Sequence, residues 1–408
     1  MQEFKYLIIG GGVVAGYAAK EFAKRDVQPG ELCIVSNDNA LPYERPPLSK
    51  SFLLGRKQEA DILINDEALY RDKGIAVKLQ TPVTVLDAAR KRITTQSGEE
   101  IGFDKLLIAT GSYLRRFDLP GSRLDGLYYL RRLVDSQTIR AAAQQAKRAA
   151  VIGAGFIGME VASALRRYDV ETTMVFPEER VWQAFFTPEM SRFFQHYYEQ
   201  RGVTILPNNT IREFAGENRV SEVVLGSGQR LPVDMIVAGI GVRPATDIFE
   251  GSGLQIDRGL VVNEYLETNL PDISAAGDVT NYRDVIFDKQ RHIEHWDNAV
   301  QQARRAVRNM MGSRRPFVHV PYFFSDVFDL SYEFWGDTSS ADEVIHRGDL
   351  EQGAFSVWWL QGGQLVAAFV MGRPKEEGEL APKWIEAHQQ LPADALRNAD
   401  RSLGDLNL

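Results

Sequence analysis

Residues 149–176 read AAVIGAGFIGMEVASALRRYDVETTMVF. An apolar tetrad, a glycine turn, an alanine-bearing helical pattern and a second apolar run follow one another without interruption. That order predicts a strand, a tight turn, a helix and a returning strand: a βαβ unit whose first turn can take a dinucleotide pyrophosphate on backbone amides. Gly153, Gly155 and Gly158 supply the Gly-x-Gly-x-x-Gly spacing, with Phe156 and Ile157 inside it. Glu178 follows Gly153 by 25 residues, where an acid can accept both hydroxyls of an adenosine ribose.

The N-terminus repeats this plan. FKYLII (4–9) reads as a buried strand, GGGVVAGYAAKEFAKR (10–25) as a glycine turn and helix, and Glu31 to Ser36 as the returning strand. Its fingerprint is Gly10-x-Gly12-x-x-Ala15, and Asp38 is its acid, 28 residues after Gly10. An ordinary strand-to-helix turn can also produce one such pattern; two in register, each with its acid, argue for two dinucleotide sites. FDKLLIATGS (103–112) and VDMIVAGIGVRP (233–244) close the two halves in the same way, each a strand running into a glycine turn. GLVVNEYLETNLPDISAAGDV (259–279) starts no third βαβ unit, and is expected to return and complete the first domain.

The last ninety or so residues differ in texture. PYFFSDVFDLSYEFWGD (321–337) is rich in aromatics, and Gly362-Gly363 marks a hairpin between FSVWWL and LVAAFVM, with a helix expected near 381–390. The fold class expected is α/β, with two Rossmann-like dinucleotide-binding domains (FAD and NAD) and a C-terminal α+β domain. The boundaries expected are 1–117 with 244–318 for FAD, 118–243 for NAD(P)H, and 319–408 for the last domain.

Composition narrows the function. At 408 residues, 44% hydrophobic and 25% charged, the chain is globular in character. A net charge of −8 gives no overall drive toward nucleic acid or acidic lipid. The single cysteine, Cys33, excludes an internal disulfide, a CxxC redox pair and a cysteine zinc site, and no metal is expected. Cys33 lies in an apolar strand and reads as inert filler. The apolar run Tyr6 to Ala19 is too short and too rich in glycine to span a bilayer, so no membrane insertion and a cytoplasmic location are expected. Two dinucleotide sites in one chain point to a bound flavin and an exchangeable nicotinamide, because hydride transfer is the reason to bring both together. Glu178 would repel a 2′-phosphate and favour NADH, while Arg180 two residues on leaves NADPH open.

With ATG at Ala109 to Gly111 and AAGD at Ala275 to Asp278 added to these motifs, the chain resembles the FAD-dependent pyridine nucleotide-disulfide oxidoreductases. Where the disulfide reductases of that superfamily carry CxxxxC, this chain reads PYERPPLSK (42–50), similar to the branch of ferredoxin reductases, apoptosis-inducing factor and monodehydroascorbate reductases. The last of these is resembled along nearly the whole chain, through GGGVVAGYAAKEFAK, PGELCIVS, PYERPPLSK, LLIATGS, TMVFPE, FFTPEM, EHWDNA and PYFFSDVFDLSYEFWGD.

The resemblance implies that Gly10, Gly12, Val14 and Ala15 hold the flavin pyrophosphate and Asp38 its ribose. It adds Arg45, Lys50, Val83, Ala109, Thr110, Gly111, Arg131, Asp278 and Trp296 to the FAD set. On the nicotinamide side it implies Gly153, Gly155, Phe156, Ile157, Gly158, Glu160, Glu178, Gly241, Glu294 and His295. Glu160 is implied to face Lys50 near the reactive flavin nitrogen, and with His295 these form the expected catalytic set. An arginine and a tyrosine grip the ascorbate radical in the plant enzymes; Val300 and Phe324 stand at those positions here, and Arg304, Arg305 and Arg308 stand close enough in sequence to substitute, with Arg304 the substrate candidate.

The reaction implied is hydride transfer from NADH to FAD, then single electrons to the monodehydroascorbate radical. The first alternative is a ferredoxin or rubredoxin-type reductase whose arginines in ARRAVRNMMGSRR (303–315) dock an acidic iron-sulfur protein, although a solvated helix face balanced by acids elsewhere is the better explanation of such a run by itself. The second is a redox-sensing interaction protein of the apoptosis-inducing-factor kind. The expected state is a monomer or a homodimer, without nucleic acid.

Overall fold

The computed structural model describes residues 2–406. They divide into two compact units: residues 2–45, 59–113 and 242–321 make the first, and residues 46–58, 114–241 and 322–406 the second.

In the first unit, Tyr6 to Ile9 are all buried, as expected of a parallel strand covered on both faces. Their strand, Gln2–Ile9, pairs in parallel with Leu32–Val35 on one side and Glu100–Ile108 on the other. Ala76–Lys78 extends the sheet beyond Leu32–Val35. Ile273–Ala275 pairs in parallel with Glu100–Ile108, so the segment after Pro244 does return to the first sheet. Val83–Asp87 and Arg92–Thr95 form an antiparallel hairpin beside the start of Glu100–Ile108. The helices Val13–Lys24 and Trp296–Met310 pack on each other and share one apolar core with the sheet.

The second unit contains the other Rossmann-like sheet. Val203–Leu206, Glu171–Val175, Arg148–Ile152, Met235–Ala238 and Leu127–Tyr129 lie in that order, all parallel. A small antiparallel sheet, Ile211–Gly216, Val220–Leu225 and Arg230–Pro232, is inserted before Met235–Ala238. The C-terminal sheet is antiparallel throughout, in the order Tyr322–Val327, Leu330–Gly336, Gln364–Met371, Ala354–Gln361, Glu343–Asp349. Gly362 and Gly363, both at positive φ, turn its central hairpin as expected.

The closing helix runs over Lys375–Glu386 instead of 381–390, with Pro382 inside it. Proline usually marks a first turn, which is why the sequence suggests a later start. The earlier start follows from Glu377, which is 1% exposed and accepts from Arg347 Nε at 2.8 Å and Ser356 Oγ at 2.5 Å. Those charge-assisted bonds anchor the first turn and offset the hydrogen bond that Pro382 cannot make. Among the described residues, no helix is long and apolar enough to cross a membrane.

Candidate functional site

In the first unit the strand Gln2–Ile9 runs into Gly10, whose φ is +124°. A Cβ there would lie 2.1 Å from the Ala109 carbonyl oxygen, so only glycine lets the two strand ends approach. Gly12 caps the helix Val13–Lys24 with no side-chain hydrogen bond, and no acid occupies the first turn. The nearest atom to a Cβ at Gly12 is Arg45 Nη2, 3.8 Å away. The helix thus offers uncapped amide donors and the positive end of its dipole beside a guanidinium, which fits a pyrophosphate. Val14 and Ala15 are buried, and Gly277 of AAGD lies so close to Val14 that a Cβ would meet its Cγ2 at 2.6 Å.

Asp38 lies three residues beyond Leu32–Val35 and is 5% exposed. Its carboxylate accepts from Tyr43 Oη at 3.1 Å and the Asn39 amide at 2.9 Å, with Arg45 Nη2 at 3.9 Å. Arg45 in turn donates to Tyr43 Oη at 3.0 Å, so two side chains and a backbone amide fix the ribose-type acid. Thr110 Oγ1 donates to the Ala245 carbonyl at 2.9 Å, and Ser112 Oγ to Asp278 Oδ2 at 2.8 Å. Gly111, between them, has a positive φ. Val83 opens its strand and is half-buried.

His295 caps the helix Trp296–Met310. Burial pushes its imidazole down to about 4, against the pull of Asp278, so it is neutral near pH 7. Glu294 is exposed and pairs with His292 Nε2 at 2.9 Å. Burial opposes a charge on His292, but the bonds to Glu294 and the Thr280 carbonyl outweigh it and raise its pKa. Trp296 Nε1 donates to Glu44 Oε2 at 2.5 Å. Asn298, one turn into the helix and fully buried, has neither amide atom partnered within the protein, as a group that hydrogen-bonds a cofactor would. Val300 is 2% exposed within the apolar core, and Arg304 stands over the Tyr17 ring at 5.3 Å.

In the second unit Gly153 repeats the role of Gly10: φ is +107° and a Cβ would meet the Gly239 carbonyl at 2.3 Å. Gly158 presses the helix Phe156–Arg166 against the turn, its Cβ position 2.0 Å from the Gly153 carbonyl. Gly155 caps that helix without a side-chain bond or an acid in the first turn, and a Cβ there meets nothing within 4 Å. This is a cradle of open donors, again fit for a pyrophosphate. Ile157 is 37% exposed, and Phe156 meets Phe323 edge to face at 4.5 Å. Glu178 is exposed just past Glu171–Val175, with its carboxylate on the surface. Arg180 reaches the Phe186 carbonyl at 3.4 Å. Gly241, at positive φ, accepts from the Arg115 amide at 3.0 Å. Arg131 uses its amide to cap the next helix on Asp135 at 2.9 Å.

Lys50 and Glu160 meet in this unit, Nζ to Oε1 at 3.2 Å, with side chains 15% and 7% exposed. Glu160 also accepts from Ser325 Oγ at 2.5 Å and from Ser49 Oγ. Lys50 reaches Asp326 Oδ2 at 3.4 Å and stands 4.8 Å from the Phe324 ring centre. Sequence reading missed Ser49, Ser325 and Asp326. Ser49 sits inside the quoted PPLSK, but nothing local points it at a residue 111 positions away. Cys33 is buried, and burial pushes its thiol up to about 12, which leaves it inert. Among the described residues, no cluster of His, Cys, Asp and Glu could hold a metal ion.

The pyridine nucleotide-disulphide oxidoreductase model matches residues 4–303, and the reductase C-terminal model matches residues 322–407. Monodehydroascorbate reductase 4, peroxisomal, of Arabidopsis thaliana is 39% identical over 93% of this chain and 82% of its own. The monodehydroascorbate reductase of Solanum lycopersicum is 33% identical over 97% of each. Among solved structures, the ferredoxin reductase for the CYP199A2 system from Rhodopseudomonas palustris superposes with a TM-score of 0.93 at 29% identity, covering 98% of this chain and 99% of that one. Putidaredoxin reductase, in its covalent complex with putidaredoxin, gives 0.94 at 28% identity over 99% and 97%. The chain belongs to the pyridine nucleotide-disulphide oxidoreductase family, as an oxidoreductase that works with FAD and NADH and ends in the reductase C-terminal domain.

Proposed function

We propose that the chain is a cytoplasmic NADH-dependent monodehydroascorbate reductase, with FAD carried by residues 1–117 and 244–318, NADH by 118–243, and residues 319–408 forming the C-terminal domain. The observation that carries this reading is relatedness to monodehydroascorbate reductases along more than nine-tenths of the chain, combined with a site that has no dithiol. The flavin, when bound, supplies hydride acceptance from NADH and release of single electrons. Two acceptor radicals are consumed per NADH, because hydride carries two electrons and each radical takes one.

The chain's own residues supply position and charge. Gly12 with Arg45 and Gly155 with its helix receive the two pyrophosphates, while Asp38 and Glu178 select the riboses. Glu178 disfavours a 2′-phosphate, and Arg180, turned to the Phe186 carbonyl, leaves that preference intact. Lys50, held between Glu160 and Asp326, presents one fixed cation; the serines on Glu160 keep the pair from turning away. Fixed dipoles of this kind lower a barrier because they need not reorganise during the reaction. His295, neutral near pH 7, offers a hydrogen bond and no charge.

A second reading, reduction of an acidic iron-sulfur protein, is favoured by the ferredoxin reductase and putidaredoxin reductase relatives and by the cations of the helix Trp296–Met310. One stopped-flow experiment separates the two: the NADH-reduced protein is mixed in turn with enzymatically generated ascorbate radical, a ferredoxin, a quinone and oxygen. Fast reoxidation by the radical, little affected by salt, supports the first reading. Reoxidation fastest with ferredoxin and falling steeply with ionic strength replaces it with the second.

A further inference from the structure

Glu44 lies in PYERPPLSK between the two residues that hold Asp38, and has a separate task. Its carboxylate accepts from two elements at once: Trp296 Nε1 at 2.5 Å on Oε2, and Tyr17 Oη at 2.7 Å on Oε1. Trp296 opens one helix and Tyr17 lies on the other, and the two rings meet edge to face at 6.2 Å. Burial, then the bond to Glu44, pushes the Tyr17 phenol well above its ordinary range, so it stays a neutral donor. On the face of the Tyr17 ring stands the guanidinium of Arg304, 5.3 Å from the centre.

The next turn shows what distinguishes Arg304. Arg308 is paired with the buried Glu21 at 2.8 Å, which also takes Arg25 at 2.8 Å. Arg304 meets Gln301 at 3.4 Å and the Tyr17 ring, and has no carboxylate within ion-pair distance among the described residues. Its charge is therefore held in place by an aromatic face and left open to an anion.

We propose that Glu44 is a positioning residue for the acceptor half of the reaction. It fixes the Trp296 indole and, through Tyr17, the Arg304 guanidinium as one array, so that an anionic one-electron acceptor meets cation and indole in a set relation. The inference deepens the function proposed above and rests on Trp296 lying beside the flavin and Arg304 facing the acceptor. A carboxylate suits this place because each donor has its own oxygen, Trp296 on Oε2 and Tyr17 on Oε1; glutamine would set an NH2 donor against one of them and leave both to compete for a single oxygen.

The test uses holoenzyme labelled with 5-fluorotryptophan, with the resonance of residue 296 assigned by Trp296→Phe. Ferricyanide, a small anionic one-electron acceptor, is the kinetic probe, so the outcome does not depend on the ascorbate radical being the physiological acceptor. In Glu44→Leu the 296 resonance should shift and broaden, and KM for ferricyanide should rise about tenfold, more than kcat falls, the size of one charge-assisted hydrogen bond. Glu44→Gln should move the same resonance in the same direction by less, and guards against a folding defect in the leucine variant. Arg304→Gln should cost less in Glu44→Leu than in the parent, and Tyr17→Phe should reproduce part of the KM effect. An unmoved 296 resonance in both Glu44 variants, or additive effects of Glu44 and Arg304, overturns the proposal. Failure of the radical alone to reoxidise the protein overturns the function proposed above and leaves this array standing.

Discussion

Replacing Glu160 by glutamine removes one charge from a cluster whose geometry allows the cost to be worked out. Lys50 Nζ lies 3.2 Å from Glu160 Oε1, and both side chains are largely shielded from water. At an effective dielectric of about 20, the attraction at that distance is about 5 kcal/mol. Lys50 keeps Asp326 at 3.4 Å, but that carboxylate is 52% exposed, and a pair so hydrated returns at most about 1 kcal/mol. Glutamine also keeps an oxygen for one of the two serines. The net destabilisation expected is about 3 kcal/mol, the range for a buried charge that loses its partner. Urea midpoints of the holoenzyme, with FAD saturating so that cofactor loss does not contribute, measure it. The decisive quantity is the cycle of Glu160→Gln, Lys50→Met and the double variant, where the coupling should be about 2 kcal/mol; a value below about 0.5 kcal/mol would refute the pair as an energetic unit. Both single variants should also alter the flavin spectrum or slow its reduction by NADH.

Three further outcomes are expected. Glu178→Ala should narrow the preference for NADH over NADPH in kcat/KM, and an unchanged ratio removes Glu178 from that role. Gly155→Ala should fold normally, since its Cβ meets nothing within 4 Å, yet raise KM for NADH by about tenfold or more; Gly158→Ala, whose Cβ meets a carbonyl at 2.0 Å, should lower the urea midpoint itself. His295 binds a proton less readily in the folded protein, at about 4, than in the unfolded chain near 6.5, so its neutral form stabilises the fold above pH 6.5 and that contribution is lost as pH falls toward 4. The loss is at most about 3 kcal/mol, and His295→Gln should remove it from urea midpoints taken between pH 7 and 4.5; an identical slope in both proteins contradicts the assignment.

Both βαβ units were legible because every signal they need is local. An apolar run, a glycine at positive φ and a helix without a capping side chain lie within about a dozen residues, as at Arg148–Ile152, Gly153 and Phe156–Arg166. The Gly362-Gly363 hairpin was readable for the same reason. The start of the helix Lys375–Glu386 was not, because it depends on Arg347 and Ser356 reaching Glu377 from two strands. Ser325 and Asp326 were equally hidden. They alternate on Tyr322–Val327, one inward to Glu160 and one outward to Lys50, and only the sheet brings that strand to a helix 165 residues earlier.

The segment PYERPPLSK shows what takes the place of a dithiol at this point in the chain. Its first part belongs to the first unit, where Tyr43 and Arg45 secure Asp38 and Glu44 secures Trp296 and Tyr17. Its last part belongs to the second unit, where Ser49 and Lys50 secure Glu160. A pair of cysteines would store electrons covalently; these residues store none and instead fix the orientation of other groups by hydrogen bonds and charge. Each half of the segment works within its own unit, so an insertion between Arg45 and Ser49 should leave both sets of contacts in place, because Tyr43, Glu44 and Arg45 make theirs within the first unit and Ser49 and Lys50 theirs within the second.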